Sequence, residues 1–400
     1  MKGGLDMQNF VFYAPTEIIF GKDTELKVAD AVKKWGGSRV FIVYGGGSVI
    51  RSGLLERVKN VLDEAGICHM EFGGVKPNPR LSHAEEGVRR ATEFGADFIL
   101  AVGGGSVIDT AKGIAIGSCH PEEKLWDIWT KKIEAKKALP VGSILTIAAA
   151  GSEMSSSAVL TNEETGKKTG LGTELNRPKF AIMNPELTYT LPKYQIACGI
   201  VDIMMHTLER YFNVNTGTHM MTDEIAEGLL RTMIVNGAKA IEDSKNYDAM
   251  SEIMWCGSLS HNDITGLGIG RDFSVHKFGH ELSAMFDVAH GASLSTMWAT
   301  WARYVCETDL ARFKHLGEKV CGLQIEDERE AAYATIDKIE AFFRSIHMPT
   351  SIGELECGVL SDNVIRELAE RTTNYGKIKI GTFCPIGTEE VYEIYKKANH

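Results

Sequence analysis

Aspartate and histidine recur at helical spacing in the second half of this 400-residue sequence. Asp202 and His206 are four residues apart, and His276 and His280 repeat that spacing, with His290 following soon after. In an α-helix, residues four apart project from the same face, one turn from each other. Carboxylate and imidazole groups carried by facing helices are a common way for helical proteins to bind a metal ion. The spacing therefore favours a metal centre.

A ligand set of one aspartate and three histidines, without a thiolate, is compatible with several metals. Fe²⁺, Zn²⁺, Co²⁺ and Ni²⁺ suit such oxygen and nitrogen donors about equally. The eight cysteines are scattered and form no Cys-x-x-Cys pair, which argues against a thiolate zinc site and a disulfide framework. At this point the alternative that these histidines are ordinary core or surface residues stays open.

Two Gly-Gly-Gly-Ser sequences, at 45–48 and 103–106, mark the first half of the chain. Each follows a run of β-forming residues and precedes a helical pattern. Glycine lets the backbone approach an anion, and the start of a helix offers free N–H groups. Ser106 is a candidate N-cap, with Asp109 three residues later as in a capping box. One such loop could be a plain turn, but two copies favour a dinucleotide cofactor.

The first glycine loop bears on which dinucleotide is bound. NAD enzymes usually place an acidic residue after the second strand, where it accepts a hydrogen bond from the adenosine ribose. Here Gly45 holds that position, and Gly46, Gly47 and Ser48 follow it. Backbone N–H groups and a hydroxyl suit a phosphate, which a carboxylate would repel. The loop therefore predicts NADP(H) rather than NAD(H).

The secondary-structure elements that must position these residues follow two different sequence patterns. Predicted strands are 9–13 and 17–20 (as a hairpin), 39–44, 68–72, 97–102 and 142–147; predicted helices are 24–35, 48–65, 82–94 and 106–117. Alternation of this kind predicts βαβ units in a Rossmann-like parallel sheet with helices on both faces. After Pro192 only helical periodicity remains, for example at 195–211, 221–240 and 331–344.

These sequence patterns predict an α/β dinucleotide-binding domain over residues 1–191 and an all-helical, metal-binding domain over 192–400. The reaction is expected in the cleft between the two domains, where such ligands usually bind. The net charge of −10 argues against nucleic-acid and anionic-membrane partners. Residues 1–8 lack the pattern of a signal peptide, and no apolar run approaches the roughly 20 residues of a membrane helix. A cytoplasmic protein is expected.

Residues 103–112 and 276–291 resemble the iron-containing (group III) alcohol dehydrogenases, and within them the NADPH-dependent butanol dehydrogenase branch. The resemblance extends from Phe20-Gly21 to the C-terminal helices and implies the architecture that this family shares with dehydroquinate synthase. It implies that Asp202, His206, His276 and His290 bind the metal, while His280 lies beside the substrate. The cofactor contacts that it implies, besides the loop at 45–48, are Asn78, Gly104, Gly105, Ser106, Asp109, Thr146, Ser155 and Lys168.

The resemblance also implies a reaction. Hydride would pass between NADP(H) and a small alcohol or aldehyde such as butanol or butanal, with Fe²⁺ or another divalent metal as Lewis acid. His280 is the candidate for relaying the proton to solvent, because imidazole titrates near neutral pH; its alternative role is lining the pocket. The family commonly has a threonine before Gly-Ser-Glu, where this chain has alanines at 148–150, which puts one hydroxyl contact in question.

Three alternatives compete with this interpretation. A dehydroquinate synthase-like lyase needs several cationic side chains, and the histidine-rich segment offers only Lys277 and nearby Arg271. A glycerol-type polyol dehydrogenase uses NAD, which the absence of an acidic residue at Gly45 disfavours. A non-enzymatic binding protein would not need two cofactor loops. Assembly is predicted as a homodimer, because the predicted hairpin at 9–20 has a spare edge for a partner chain.

Overall fold

The computed structural model describes residues 8–149, 151–213 and 219–400. They form two compact units, one of Tyr13–Leu191 and one of Pro192–His400 together with residues 8–12. Residues 8–12 were expected in the first domain, but the amide of Gln8 donates to the carbonyl oxygen of Gly268, at 3.3 Å, in the helical unit. Residues 1–7, part of the segment that lacks a signal-peptide pattern, lie outside the described part of the chain, and so does Ala150 of the alanine run.

The first unit contains a six-stranded parallel sheet and a two-stranded antiparallel one, which confirms the Rossmann-like prediction. Its strands are β1 (Glu17–Phe20), β2 (Arg39–Tyr44), β3 (Cys68–Phe72), β4 (Phe98–Gly103), β5 (Val141–Leu145), β6 (Ser157–Asn162), β7 (Lys167–Gly172) and β8 (Phe180–Met183). Its helices are α1 (Val28–Lys34), α2 (Ser48–Arg51), α3 (Leu54–Glu64), α4 (Leu81–Phe94), α5 (Gly105–Gly117) and α6 (Leu125–Trp129).

The strand order β1-β8-β5-β4-β2-β3 places β2 and β4 side by side in the sheet. Both strands are apolar on both faces, because helices cover each side of the sheet. Tyr44 pairs with Val102 in the parallel ladder, so the two glycine loops begin at neighbouring strand ends. The chain moves outward in opposite directions from this pair, to β3 on one side and to β5 on the other. In α/β sheets, ligands bind at the carboxyl ends of strands at such a switch point.

The predicted hairpin at 9–20 is wrong. Residues 9–13 form no strand, and β1 pairs in parallel with β8, with Glu17 opposite Phe180. The partner strand lies some 160 residues away along the chain, so no local pattern could reveal it. The single helix predicted at 48–65 is also wrong: it is divided into α2 and α3 at Gly53, whose left-handed φ of 71° interrupts it. Strands β6 to β8 were not predicted.

The second unit is built from helices, which confirms the all-helical prediction. They are α7 (Lys193–Tyr211), α8 (Met220–Glu242), α9 (Tyr247–Ser260), α10 (Ser274–Phe286), α11 (His290–Val305), α12 (Leu310–Cys321), α13 (Glu328–Ser345), α14 (Asp362–Thr372) and α15 (Thr388–Ala398). Residues 199–211 of α7 are all buried, so the polar side chains of Asp202, His206 and Glu209 lie in the interior of the unit. No helix in the described ranges combines the length and the apolar character needed to cross a membrane.

Close helix packing brings the histidine-bearing segments together. A Cβ on Gly291, at the start of α11, would lie only 2.2 Å from the carbonyl oxygen of Cys198 on α7. Only glycine permits this approach, which sets the neighbouring His290 against α7. At the start of α10, the Asp272 carboxylate accepts a hydrogen bond from the Ser274 amide at 2.9 Å, so the first turn that carries His276 is held in place.

Candidate metal centre and cofactor loops

Three imidazoles surround one carboxylate oxygen in the helical unit. Asp202 Oδ1 lies 3.4 Å from His206 Nε2, 3.6 Å from His276 Nε2 and 3.7 Å from His290 Nε2. Asp202 and His206 come from α7, His276 from α10 and His290 from the first residue of α11. The first three side chains are buried, whereas His290 is about a quarter exposed. The structure thus brings together residues that are 88 positions apart in the sequence.

The geometry of this cluster fits a metal ion. Two ligand atoms about 2.1 Å from a metal at a tetrahedral angle are about 3.4 Å apart. The ligand atoms of Asp202, His276 and His290 all lie within 4.8 Å of one another. Asp202 Oδ1 and His276 Nε2 are buried and accept or donate no hydrogen bond within the described part of the chain. An unsatisfied buried polar atom costs about 1–3 kcal/mol, and a shared divalent cation would remove that cost.

The surroundings of His206 keep its imidazole neutral, which is the form that binds metals. Burial lowers the pKa of His206 well below its usual value, and the neighbouring His261 and His276 lower it further. The ring of His261 stands 4.0 Å from that of His206, centroid to centroid. Arg210 holds His261 there, since its guanidinium donates to His261 Nδ1 at 3.0 Å and to the carbonyl oxygen of His206 at 2.8 Å.

Glu209 is a residue of this centre that sequence reasoning missed. Its carboxylate is fully buried and accepts a hydrogen bond from His276 Nδ1. Burial lowers the pKa of His276, but the negative charges of Glu209 and Asp202 and the hydrogen bond that His276 donates to Glu209 outweigh it and raise the pKa to about 9. The two carboxylates therefore make this a favourable place for a cation. The available signal was spacing, because Glu209 follows His206 by three residues on the same helix.

His280 lies at the side of the cluster. Its ring centroid is 5.5 Å from that of His290 and 6.1 Å from that of His276. The three imidazole nitrogens closest to Asp202 Oδ1 belong to the other histidines. His280 is half-buried, one helical turn after His276, so its side chain is close enough to reach a molecule bound at the cluster.

The second glycine loop starts α5 earlier than predicted. The helix begins at Gly105 with Gly104 as its N-cap, so Ser106 lies within the first turn and the predicted N-cap assignment is wrong. A Cβ on Gly104 would lie 2.0 Å from a methyl carbon of Ile147, so this position requires glycine. The amide of Thr146 donates to the carbonyl oxygen of Gly103 at 3.1 Å, which places Thr146 beside this loop.

Asp109 and Lys112 organise the segment that follows β5. The Asp109 carboxylate accepts hydrogen bonds from Ser152 Oγ at 2.6 Å and from the Val159 amide at 2.9 Å, so it makes no capping box. The buried Lys112 ammonium donates to the carbonyl oxygens of Ser152, Ser155 and Ser157 at 2.7, 3.2 and 2.7 Å. Together they fix the backbone around Ser155, one of the predicted cofactor residues.

Asn78 and Lys168 are brought together although they lie 90 residues apart. Lys168 Nζ donates to Asn78 Oδ1 at 3.0 Å. Asn78 has a left-handed φ of 54°, a conformation that asparagine tolerates better than most residues. Two of the residues predicted to contact the cofactor are thus hydrogen-bonded to each other.

Comparison with known proteins agrees with this architecture. The family model for iron-containing alcohol dehydrogenase matches residues 15–185. The family model for the C-terminal part of the Fe-containing alcohol dehydrogenase family matches residues 196–399. The chain belongs to the iron-containing alcohol dehydrogenase family. The two matches cover nearly the whole of this alcohol dehydrogenase, including both glycine loops and the histidine cluster, and so confirm the resemblance seen in the sequence.

Individual relatives give the same result. The alcohol dehydrogenase is 39% identical over 394 residues to NADH-dependent butanol dehydrogenase A of Clostridium acetobutylicum, covering 98% of this chain and 100% of the relative. It is 34% identical over 394 residues to the NADPH-dependent aldehyde reductase YqhD of Escherichia coli, with coverage of 98% and 100%. The crystal structure of NADH-dependent butanol dehydrogenase A from Thermotoga maritima superposes with a TM-score of 0.94 at 34% identity, covering 99% and 100%. Alcohol dehydrogenase/aldehyde reductase activity is therefore supported over the lyase and polyol alternatives.

Proposed function

We propose that this alcohol dehydrogenase transfers hydride between NADP(H) and a small alcohol or aldehyde, such as butanol or butanal, with a divalent metal held by Asp202, His206, His276 and His290. The approach of three imidazole nitrogens to within 3.7 Å of Asp202 Oδ1 carries the proposal. A metal bound there supplies Lewis acidity toward a carbonyl oxygen, and the nicotinamide supplies the hydride. Iron is the favoured metal because of the family to which the chain belongs.

The chain's own residues would contribute binding and orientation. His206 would present a neutral imidazole nitrogen, and His276 would bind through Nε2 once a metal ion displaces the proton that its raised pKa favours. Asp202 would lower the net charge of the site. Asn78, Lys168, Thr146 and the loops at 45–48 and 104–106 would hold the cofactor, with Ser155 kept in place by Lys112. Asp109 would act indirectly, through its hydrogen bond from Ser152. The names of the relatives support small alcohols and aldehydes as substrates.

The surroundings of the first glycine loop support NADP(H). Gly45, Gly46 and Gly47 are half-buried or exposed and have no side chains, and the exposed Ser48 adds a hydroxyl. Arg51 lies close by, with Nη1 at 3.3 Å from the position that a Cβ of Gly47 would occupy. A guanidinium beside such a loop suits the 2′-phosphate of NADP. The support comes from these groups rather than from a long helix, because α2 has only four residues.

Metal analysis of the purified protein, together with an aldehyde panel assayed with NADPH and NADH, tests the proposed function. We expect stoichiometric divalent metal and steady oxidation of NADPH in the presence of butanal or a related aldehyde. Protein reconstituted with Fe²⁺ and with Zn²⁺ should be assayed separately, since the ligand set accepts both ions. Failure of both forms to oxidise either cofactor with any aldehyde would contradict the proposal.

Replacement of His280 with alanine should lower kcat by about a hundredfold while the bound metal stays at the wild-type level. The reason is that a positioned imidazole that carries a proton contributes roughly 100-fold or more to such a reaction. Steady-state kinetics and metal content of the same preparation provide the two readings. An unchanged kcat in the metal-loaded variant would assign His280 to lining the pocket instead.

We also propose that the enzyme is a homodimer. Strand β1 lies at one end of the six-stranded order. Phe10, Val11, Phe12 and Tyr13, which precede it in the chain, are 50, 91, 42 and 55% exposed. An edge strand and consecutive exposed apolar side chains are typical of a surface that a partner covers. Light scattering at micromolar concentration should give twice the monomer mass, and Val11→Asp should shift it toward the monomer. A wild-type mass of one chain would refute the dimer.

A further inference from the structure

Glu209 links two helices that carry the proposed metal ligands. It lies on α7, three residues after His206, and none of its side chain is exposed. Its Oε1 accepts hydrogen bonds from the amides of Val275 and His276, at 2.5 and 3.2 Å, and its Oε2 accepts one from His276 Nδ1. All three donors belong to the first turn of α10. One carboxylate from α7 therefore holds both the backbone and the imidazole of that turn.

The backbone part of this contact replaces a helix cap. The first amides of a helix have no partner within the helix, and a side chain just before it usually accepts from them. Phe273 occupies the N-cap position of α10 and makes no side-chain cap. The Glu209 carboxylate performs this function from another helix, and its backbone carbonyl oxygen also accepts from the Asp272 amide at 2.8 Å. Glu209 thereby sets the position of His276 relative to α7.

The imidazole part of the contact selects the ring nitrogen that faces the cluster. An ionised carboxylate only accepts hydrogen bonds, so the proton of a neutral His276 ring lies on Nδ1. The lone pair then lies on Nε2, the atom 3.6 Å from Asp202 Oδ1 that has no hydrogen-bond partner among the residues described. Partners of this kind orient metal-binding histidines and increase their affinity for the metal.

We propose that Glu209 is a positioning residue that fixes His276 in the tautomer and orientation required to bind the metal. This inference rests on the proposed metal centre and adds a residue that is not itself a ligand. Its removal should act on metal affinity even where the fold is preserved. Glutamine is the informative replacement, because it keeps the shape of the side chain but turns a donating NH₂ group or a weaker carbonyl acceptor toward His276 Nδ1.

Glu227 provides a matched control in the same unit. It is likewise fully buried, accepts a hydrogen bond from Tyr211 Oη at 2.9 Å and lies 3.1 Å from His315 Nε2. It is thus a buried carboxylate paired with a histidine, like Glu209, but its histidine is not in the metal cluster. Glu227→Gln should report the effect of neutralising a buried carboxylate without disturbing His276.

The test is to measure the Zn²⁺ affinity of metal-free wild type, Glu209→Gln and Glu227→Gln by competition with a chromophoric chelator. The visible absorption of the Co²⁺ forms and the thermal unfolding of the metal-free proteins should be recorded alongside. We expect Glu209→Gln to bind Zn²⁺ about 10–100-fold more weakly and to show an altered Co²⁺ spectrum. Glu227→Gln should match the wild type in both, even if both variants lose a similar amount of thermal stability.

Wild-type affinity and an unchanged Co²⁺ spectrum in Glu209→Gln would overturn the proposal while leaving the metal centre itself in place. Equal weakening in both variants would also overturn it, because the loss would then follow from general destabilisation. Should Glu209→Gln fail to fold, Glu209→Asp keeps the charge but withdraws it from Nδ1, and undiminished affinity there would equally refute the proposal. A wild-type protein that binds neither Zn²⁺ nor Co²⁺ would instead refute the proposed function on which the inference rests.

Discussion

Replacement of His276 with alanine is expected to remove most of the bound metal and to lower kcat/KM by about a thousandfold or more. A Lewis acid contributes several kcal/mol to stabilising the charge that develops on oxygen, and about 4 kcal/mol corresponds to a thousandfold in rate. The buried Nε2 of His276 is the imidazole nitrogen nearest Asp202 Oδ1 after that of His206. Among the described residues, His276 is also the only histidine of the cluster whose Nδ1 donates to a carboxylate. Metal content by mass spectrometry and steady-state kinetics give the two measurements.

His219 offers a matched control for that substitution. It is also buried, lies in the same unit, and pairs with Asp223 four residues later at 3.5 Å, much as His206 pairs with Asp202. His219→Ala should therefore remove a buried histidine with an aspartate neighbour while leaving metal and activity close to the wild type. If His276→Ala folded normally, kept full metal occupancy and retained a near wild-type rate, the ligand assignment would be wrong.

Wild-type enzyme is expected to use NADPH at least about tenfold more efficiently than NADH, and Gly45→Asp should erase or reverse that preference. Tenfold corresponds to about 1.4 kcal/mol of differential binding. The aspartate would put a carboxylate where the 2′-phosphate is proposed to bind and would offer the ribose of NAD an acceptor. The backbone tolerates the change, since a Cβ at Gly45 would meet Val75 O at 3.5 Å and Val107 Cγ2 at 3.7 Å, which are ordinary contacts.

The comparison of kcat/KM for the two cofactors should include Gly45→Asn, which has the same size without the charge. We expect Gly45→Asn to weaken both cofactors more evenly, because it adds bulk but no repulsion. Gly47 is unsuitable for such a test, since its φ of 116° would strain any side chain placed there. Equal efficiencies with both cofactors in the wild type, or an unchanged ratio in Gly45→Asp, would show that this loop is only a turn between β2 and α2.

Short-range patterns made the main architecture predictable. Strands β2 and β3 lie where they were predicted, because runs of β-forming residues bounded by turn residues depend on local sequence alone. The helical spacing of Asp202 with His206 and of His276 with His280 is likewise a local property, preserved in α7 and α10. Where glycines left the end of a helix ambiguous, the observed helix boundaries differ from the predicted ones: α5 starts at Gly105, and Gly53 separates α2 from α3.

Contacts between distant segments could not be predicted in this way. β1 pairs with β8 rather than with residues 9–13, because the energetic gain depends on a strand that only folding brings near. The hydrogen bond between Lys168 and Asn78 joins side chains 90 residues apart, and that between Glu209 and His276 joins side chains 67 apart. Periodicity identifies which face of a helix carries a polar group, but not which face of another helix it will meet.

The sequence by itself therefore determined the class of each half of the chain, its family and the residue types available for metal and cofactor binding. The tertiary structure decided which of those residues converge, that His280 stands beside the three imidazoles near Asp202, and that Glu209 joins them. The physical reason is one of range. Dihedral preferences, capping and apolar periodicity act over a few residues, whereas a binding site depends on how helices pack, as where Gly291 lets α11 approach α7.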